Sequence, residues 1–155
     1  VFDNDEGPNT GGMGAYCPAP LFDKSLRNKV EEKIIKPTIQ GMKNRGFPFK
    51  GFLYVGIMVV EGDPYVIEYN VRLGDPEAQV VLPMLQEDIF SIVKHVIDGN
   101  VKNLSINNKD GYTVAVVLAA KGYPNKYSKE LIINGLDTSM MGFHSGTKLL
   151  NDKFY

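Results

Sequence analysis

The fold turns on Phe52-Leu53-Tyr54-Val55-Gly56-Ile57-Met58-Val59-Val60, then Glu61-Gly62-Asp63-Pro64, then Tyr65-Val66-Ile67-Glu68-Tyr69-Asn70. The first run is apolar at both odd and even positions, which predicts a strand covered on both faces. The four residues after it are turn formers, and the second run returns to strand-forming residues. Together they predict an antiparallel hairpin. The second run changes character at its end, where Glu68, Asn70 and then Arg72 fall at alternate positions. Alternation puts Glu68 and Asn70 on one face, about 6.6 Å apart along the strand. A carboxylate and a carboxamide oxygen so placed suit a hard cation such as Mg²⁺, which completes its shell with phosphate oxygens. Arg72 offers a planar fork to a phosphate or carboxylate. The same spacing also fits a plain solvated strand face. The apolar strand beside it tilts the balance, because charged groups next to buried apolar surface need a reason.

Beyond the hairpin comes Arg72-Leu73-Gly74-Asp75-Pro76-Glu77. Asp75 is expected to N-cap a short helix that has Pro76 at its first position and runs to about Leu82, where Pro83 ends or bends it. A helix start beside the Glu-x-Asn strand is an anion site. Capping alone also accounts for Asp75 and Pro76, and Glu77 complements the helix dipole. A second helix is predicted over Glu87–Asp98, with Ile89, Val93, Val96 and Ile97 inward and Gly99 closing it. Residues 101–110 are polar and Asn-rich and read as a linker. Thr113–Ala120 predicts another buried strand, Ile132-Ile133 and Met141–His144 short strands, and Lys148 the start of a further one.

Before the hairpin, a helix is expected from a cap at Asp23 or Ser25, with Leu26, Val30, Ile34 and then Met42 on its apolar side. Pro37 should kink or split it and Gly46 should end it. Residues 3–20 read as loop. Within them, Thr10-Gly11-Gly12-Met13-Gly14 could turn backbone amides toward an anion, though a tight surface loop explains the glycines equally. No Gly-Lys-Ser/Thr follows, so this is not a P-loop. No strand precedes it, so it is not a dinucleotide fingerprint.

The 155 residues hold 17 Lys and Arg against 18 Asp and Glu, a net charge of −1 that lacks the basic excess of a nucleic-acid surface. An apolar content of 43% is enough to bury a core, so wholesale disorder is not expected. Apolar runs fall far short of the ~20 residues of a membrane helix, and no signal peptide is visible. The single cysteine, Cys17, excludes an internal disulfide and fits a reducing, cytoplasmic setting. His95 and His144 are isolated and do not make a metal site. The chain opens on Val1 rather than Met, and is expected to be a piece of something longer.

Taken in order, several runs resemble the phosphoribosylamine–glycine ligase (glycinamide ribonucleotide synthetase) family of the ATP-grasp superfamily. They are Asp5-x-Gly7-Pro8-Asn9-Thr10-Gly11-Gly12-Met13-Gly14-Ala15-Tyr16, Ile35-x-Pro37-Thr38, Gly51-Phe52-Leu53-Tyr54 and Ile67-Glu68-Tyr69-Asn70-x-Arg72-x-Gly74-Asp75-Pro76-Glu77. Ala119-Ala120-x-Gly122-Tyr123-Pro124 and His144-x-Gly146-Thr147-Lys148 are similar to the family's C-terminal domain. The resemblance implies an α+β ATP-grasp fragment: a mostly antiparallel sheet with packed helices over residues 1–106, and an incomplete, β-rich C-terminal domain over 107–155. It implies ATP-dependent ligation of glycine to 5-phosphoribosylamine through glycyl phosphate, in purine biosynthesis. Glu68 and Asn70 would hold Mg²⁺ or Mn²⁺ on the ATP phosphates, and Arg72 would stabilise the transferring phosphoryl group. Asp5, Thr10, Gly11, Gly12, Met13 and Gly14 would cradle phosphoribosylamine, while Asp75 and Glu77 would line the substrate side. The expected partners are these small molecules, with neither nucleic acid nor membrane, and the isolated piece is expected to be inactive and prone to self-association. A non-catalytic module and another ATP-grasp carboxylate–amine ligase remain the alternatives. One departure stands out: many ATP-grasp enzymes carry a further carboxylate on the preceding strand, where this chain has Gly56.

Overall fold

The computed structural model describes residues 2–136 and 139–155, with Asp5 through its backbone only. The architecture is α+β, in two compact units: Gly14–Ala115, and the residues up to Met13 together with those from Val116 onward.

The first unit contains β1 (Gly14–Cys17), α1 (Lys24–Val30), a π-helical segment (Glu31–Ile35), α2 (Lys36–Asn44), β2 (Tyr54–Val60) and β3 (Asp63–Asn70). It continues with α3 (Ala78–Met84), α4 (Ile89–Ile97) and β4 (Thr113–Val116), whose last residue crosses the unit boundary. Asp23 caps α1 by accepting the Leu26 N–H at 2.8 Å. Leu26, Val30 and Ile34, four residues apart, are its buried stripe, while Met42 is exposed. Proline has no N–H, and its ring crowds the carbonyl four residues back. The wider π turn falls directly before Pro37, which sits in the first turn of α2, so the helix is carried through instead of ended. Gly46, at φ +84°, then closes it, donating to Lys43 O while Phe47 N–H reaches Met42 O at 3.0 Å.

The predicted hairpin is present and antiparallel. Glu61 and Gly62 both take positive φ, 52° and 77°, the signature of a two-residue type I′ turn. Val60 pairs with Asp63 and Ile57 with Val66; beyond them Gly56 pairs with Glu68 and Tyr54 with Asn70. Ile67 is the extra residue of a β-bulge. Lys29 and Lys33 grip the turn: Lys29 Nζ reaches Gly62 O at 2.7 Å and Asp63 at 3.1 Å, and Lys33 reaches Asp63 at 2.9 Å.

Several expectations need correction. β2 starts at Tyr54, not Phe52, and the hairpin is not covered on both faces: Met58 is 55% and Ile67 64% exposed. A two-stranded sheet with α1 against β3 has too little partner surface to bury both faces. Asp75 does not cap α3. Ala78 N–H already bonds Gly74 O at 2.9 Å, so the chain winds into the helix from Gly74, and the Asp75 carboxylate instead accepts the Gln79 amide at 2.7 Å. α3 runs through Pro83 to Met84, and Val80 in it is 1% exposed. α4 starts after Asp88, whose carboxylate accepts Ser91 N–H at 3.2 Å. Its buried residue is Ile92, while Ile97, in the last turn before Gly99, is 68% exposed.

Residues 101–110 are tied down and do not form a free linker. Glu87 accepts both the backbone and side-chain N–H of Asn107 at 2.9 Å, and Lys109 N–H bonds Met84 O at 2.7 Å. These bonds keep the segment with the helices before it, so the compact units divide the chain differently from 1–106 and 107–155. Within the expected N-terminal loop, Gly14–Cys17 forms β1 by pairing with β4. Thr113 Oγ1 fixes β4 to α3 by donating to Val80 O at 2.6 Å.

In the second unit a 3₁₀ turn, Asp3–Asp5, is closed by a Phe2–Glu6 bridge. β5 (Leu149–Leu150) and β6 (Lys153–Phe154) form the strand foreseen at Lys148 and its antiparallel partner, joined by Asn151 and Asp152 at φ 49° and 57°. The strands expected at Ile132-Ile133 and Met141–His144 do not form, although Ile133 N–H bonds Phe154 O at 2.8 Å. The predicted strand Thr113–Ala120 stops at Val116, and Leu118 is 92% exposed. No helix among the described residues is long and apolar enough to cross a membrane.

Candidate functional site

The open end of the hairpin carries the polar cluster. Glu68 and Asn70 share a face of β3, and Asn70 Nδ2 donates to Glu68 Oε1 at 2.8 Å. Gly56 lies directly across from Glu68; a Cβ there would stand 3.1 Å from Glu68 Cγ. The missing side chain leaves room for the Glu68 stem to lie over β2. Tyr54 lies across from Asn70. Just past β3, Arg72 Nη1 donates to Leu73 O at 2.9 Å.

The chain then turns at Gly74 and brings Glu77 back to β2, where Tyr54 O–H donates to Glu77 Oε1 at 3.2 Å. Gly74 is buried, and a Cβ on it would overlap Glu77 Oε2 and approach Tyr54 Cε2 within 2.8 Å. Burial is the main cause that pushes the Tyr54 hydroxyl above its ordinary value. The charge and hydrogen bond of Glu77 add to it, as does the charge of Glu68, while Arg72 opposes it. Asp75 is held by Gln79 Nε2, and Gln79 Oε1 is buried without a hydrogen-bond partner.

Of the residues singled out from sequence, Glu68, Asn70, Arg72, Asp75 and Glu77 therefore fall in one short stretch around the end of β3. Tyr54, Gly74 and Gln79 were missed as site residues, and Gly56 was noted only for the carboxylate it lacks. Counting back across the Glu61-Gly62 turn sets Val55 opposite Glu68 and Leu53 opposite Asn70; the extra residue at Ile67 shifts the partners to Gly56 and Tyr54, and no periodicity in the sequence announces it. Gly14 opens β1, whereas Thr10, Gly11, Gly12 and Met13 belong to the other unit, where Gly11 is exposed with open space around it. The side chain of Asp5 lies outside the described residues.

Among the described residues no three His, Cys, Asp or Glu converge as a metal cage. The Glu68–Asn70 pair offers a different donor set. With Nδ2 turned to Glu68, the Asn70 Oδ1 and the second Glu68 oxygen are left for a cation. Two hard protein oxygens fit a divalent ion whose remaining shell is phosphate and water. An apolar groove of about 400 Å³, lined by Ile35, Ile39, Phe49, Leu53 and Val96 among others, includes none of these residues.

Residues 1–78 match the family model for the phosphoribosylglycinamide synthetase ATP-grasp (A) domain. Over 155 aligned residues the chain is 43% identical to the phosphoribosylamine–glycine ligase of Caldanaerobacter subterraneus subsp. tengcongensis, covering 99% of this chain and 37% of that protein. It is 44% identical over 156 residues to the trifunctional purine biosynthetic protein adenosine-3 of Gallus gallus, covering 97% of this chain and 16% of that one. The crystal structure of the phosphoribosylamine–glycine ligase of Thermotoga maritima superimposes with a TM-score of 0.83 at 37% identity, over 98% of this chain and 38% of that one. The chain thus spans little more than a third of the length of such single-function ligases.

Proposed function

The chain belongs to the family of the phosphoribosylglycinamide synthetase ATP-grasp domain, and on that premise we propose that it carries the acidic part of the active site of a phosphoribosylamine–glycine ligase. The reaction joins two steps. A glycine carboxylate oxygen takes the γ-phosphoryl group of ATP, and ADP leaves. The amine of 5-phosphoribosylamine then adds to the acyl carbon of glycyl phosphate, phosphate leaves, and the amine loses a proton as the amide forms. Phosphoryl transfer asks little covalent chemistry of the protein; positioning and charge neutralisation carry it.

The observation that supports this reading is the Glu68–Asn70 pair with Arg72 two residues on. Glu68 and Asn70 would hold Mg²⁺ or Mn²⁺, which would supply positive charge to offset that of the ATP phosphates. Arg72 gives its guanidinium to the transferring phosphoryl oxygens. Gly11, Gly12, Met13 and Gly14, with Asp5 and Thr10, cradle phosphoribosylamine, the loop offering backbone amides to its phosphate. Asp75 and Glu77 line the substrate side of the turn. The setting is cytoplasmic. The 155-residue chain alone does not turn over, and it self-associates through the exposed apolar hairpin face around Met58 and Ile67.

The test is ADP release dependent on both glycine and phosphoribosylamine, measured on the full-length protein carrying this chain. Glu68→Ala and Asn70→Ala should each abolish it, and unchanged turnover in both rejects the metal site. Replacement of phosphoribosylamine by other amines without loss of rate would instead favour a different carboxylate–amine ligase. A clean monomer of the isolated chain in concentrated solution, by light scattering, rejects the self-association.

A further inference from the structure

Tyr54 is the hub of the cluster, and no role in the reaction is yet attached to it. It stands across from Asn70 on the neighbouring strand. Its hydroxyl donates to Glu77 at 3.2 Å, and its ring lies against Gly74. One side chain thus joins β2, the strand paired with the one that carries Glu68 and Asn70, to the turn that follows Arg72. Gly74 records how close that junction is, because any side chain there would meet both Tyr54 and Glu77. Arg72 lies between these two anchors in sequence. Among the described residues its guanidinium donates to the carbonyl of Leu73, so the turn itself sets its direction.

We propose that Tyr54 is a positioning residue for the phosphoryl-transfer step: its bond to Glu77 locks the Gly74–Glu77 turn onto the hairpin and thereby aims Arg72 at the site formed by Glu68 and Asn70. The proposal rests on the ligase reading above. Tyr54 acts through Glu77 and the turn, so its loss falls on orientation and leaves nucleotide affinity alone. A misaimed charge-stabilising group lowers the rate of the chemical step without weakening ground-state binding.

The test is a double-variant cycle in the full-length protein. Tyr54→Phe removes one oxygen and keeps the ring; it should lower kcat about tenfold, with the KM for MgATP unchanged. Glu77→Ala, which removes the acceptor, should also lower kcat, and Tyr54→Phe with Glu77→Ala should be no worse than the poorer single variant, since both break one link. A Tyr54→Phe variant with full kcat overturns the proposal, as does a double variant whose losses multiply or a loss that falls wholly on KM. Tyrosinate absorbance, taken as wild type minus Tyr54→Phe, separates this failure from failure of the ligase reading. Tyr54 should titrate above the ordinary tyrosine range and come down in Glu77→Gln. A titration unmoved by Glu77→Gln overturns the Tyr54–Glu77 link, whatever the activity. A titration that falls in Glu77→Gln, in a protein without turnover, upholds the link and overturns the ligase reading.

Discussion

Gly56 and Glu68 face each other across the hairpin so closely that a methyl group on Gly56 would stand 3.1 Å from Glu68 Cγ. The backbone at Gly56 is ordinary extended strand, so the position is glycine for space and not for φ. Gly56→Ala should therefore fold normally and push the Glu68 stem outward by a few tenths of an ångström. The expected outcome is a several-fold higher Mg²⁺ concentration for half-maximal activity, with thermal stability little changed. A metal titration of the full-length protein checks it.

Gly74 is closed off from two sides. Gly74→Ala would drive the Glu77 carboxylate away and press on the Tyr54 ring. Overpacking at such a place costs about 1–3 kcal/mol. The variant should unfold at lower urea concentration than wild type and lose at least as much kcat as Tyr54→Phe. Equilibrium unfolding alongside steady-state kinetics tests both halves.

The hairpin turn holds Glu61 at φ 52°, a conformation that β-carbon sterics disfavour and that Asn tolerates better. Glu61→Asn creates the Asn-Gly pair preferred in type I′ turns. It should stabilise the fold by about 0.5 kcal/mol, seen as a raised denaturation midpoint with no change in slope.

Glu87 binds Asn107, and the Asn107 backbone N–H is the main cause that holds its carboxyl below the ordinary 4.5. A carboxyl whose folded value is lowered stabilises the fold fully above its unfolded value, and that contribution disappears as pH falls through the folded value. The Asn107 amide resonance should thus be constant above about pH 5 and titrate with a midpoint below 4.5. Glu87→Gln should remove that titration and leave Ile92, in the helix core, unaffected.

What was legible in the sequence was local. Asp23 as a cap, Pro37 as an interruption, Glu61-Gly62 as a turn and Glu68-x-Asn70 as one face all depend on neighbours within a few residues, and each stands in the structure. Distant partners decided the rest. Gly14–Cys17 is a strand only because Thr113–Val116, on the far side of the hairpin and helices, pairs with it. Asp75 does not cap because Gln79 and the Gly74 carbonyl reach its surroundings first. Tyr54 and Glu77, 23 positions apart, meet through a turn that no periodicity announces. The inward faces of β2 and α4 were misread for the same reason: burial depends on what packs against an element, and Met58 and Ile97 have little against them.

The bulge at Ile67 makes the hairpin a measuring device of fixed length. From the turn clamped by Lys29 and Lys33, four steps along β2 reach Gly56 while five along β3 reach Glu68. The surplus residue is the offset that seats Glu68 against the empty place at Gly56. Any single insertion or deletion between Asp63 and Glu68 would turn the carboxylate to the opposite side of the strand, away from Asn70 and Tyr54. This stretch is therefore intolerant of length change, whatever residues fill it, and natural variation should enter it by substitution alone.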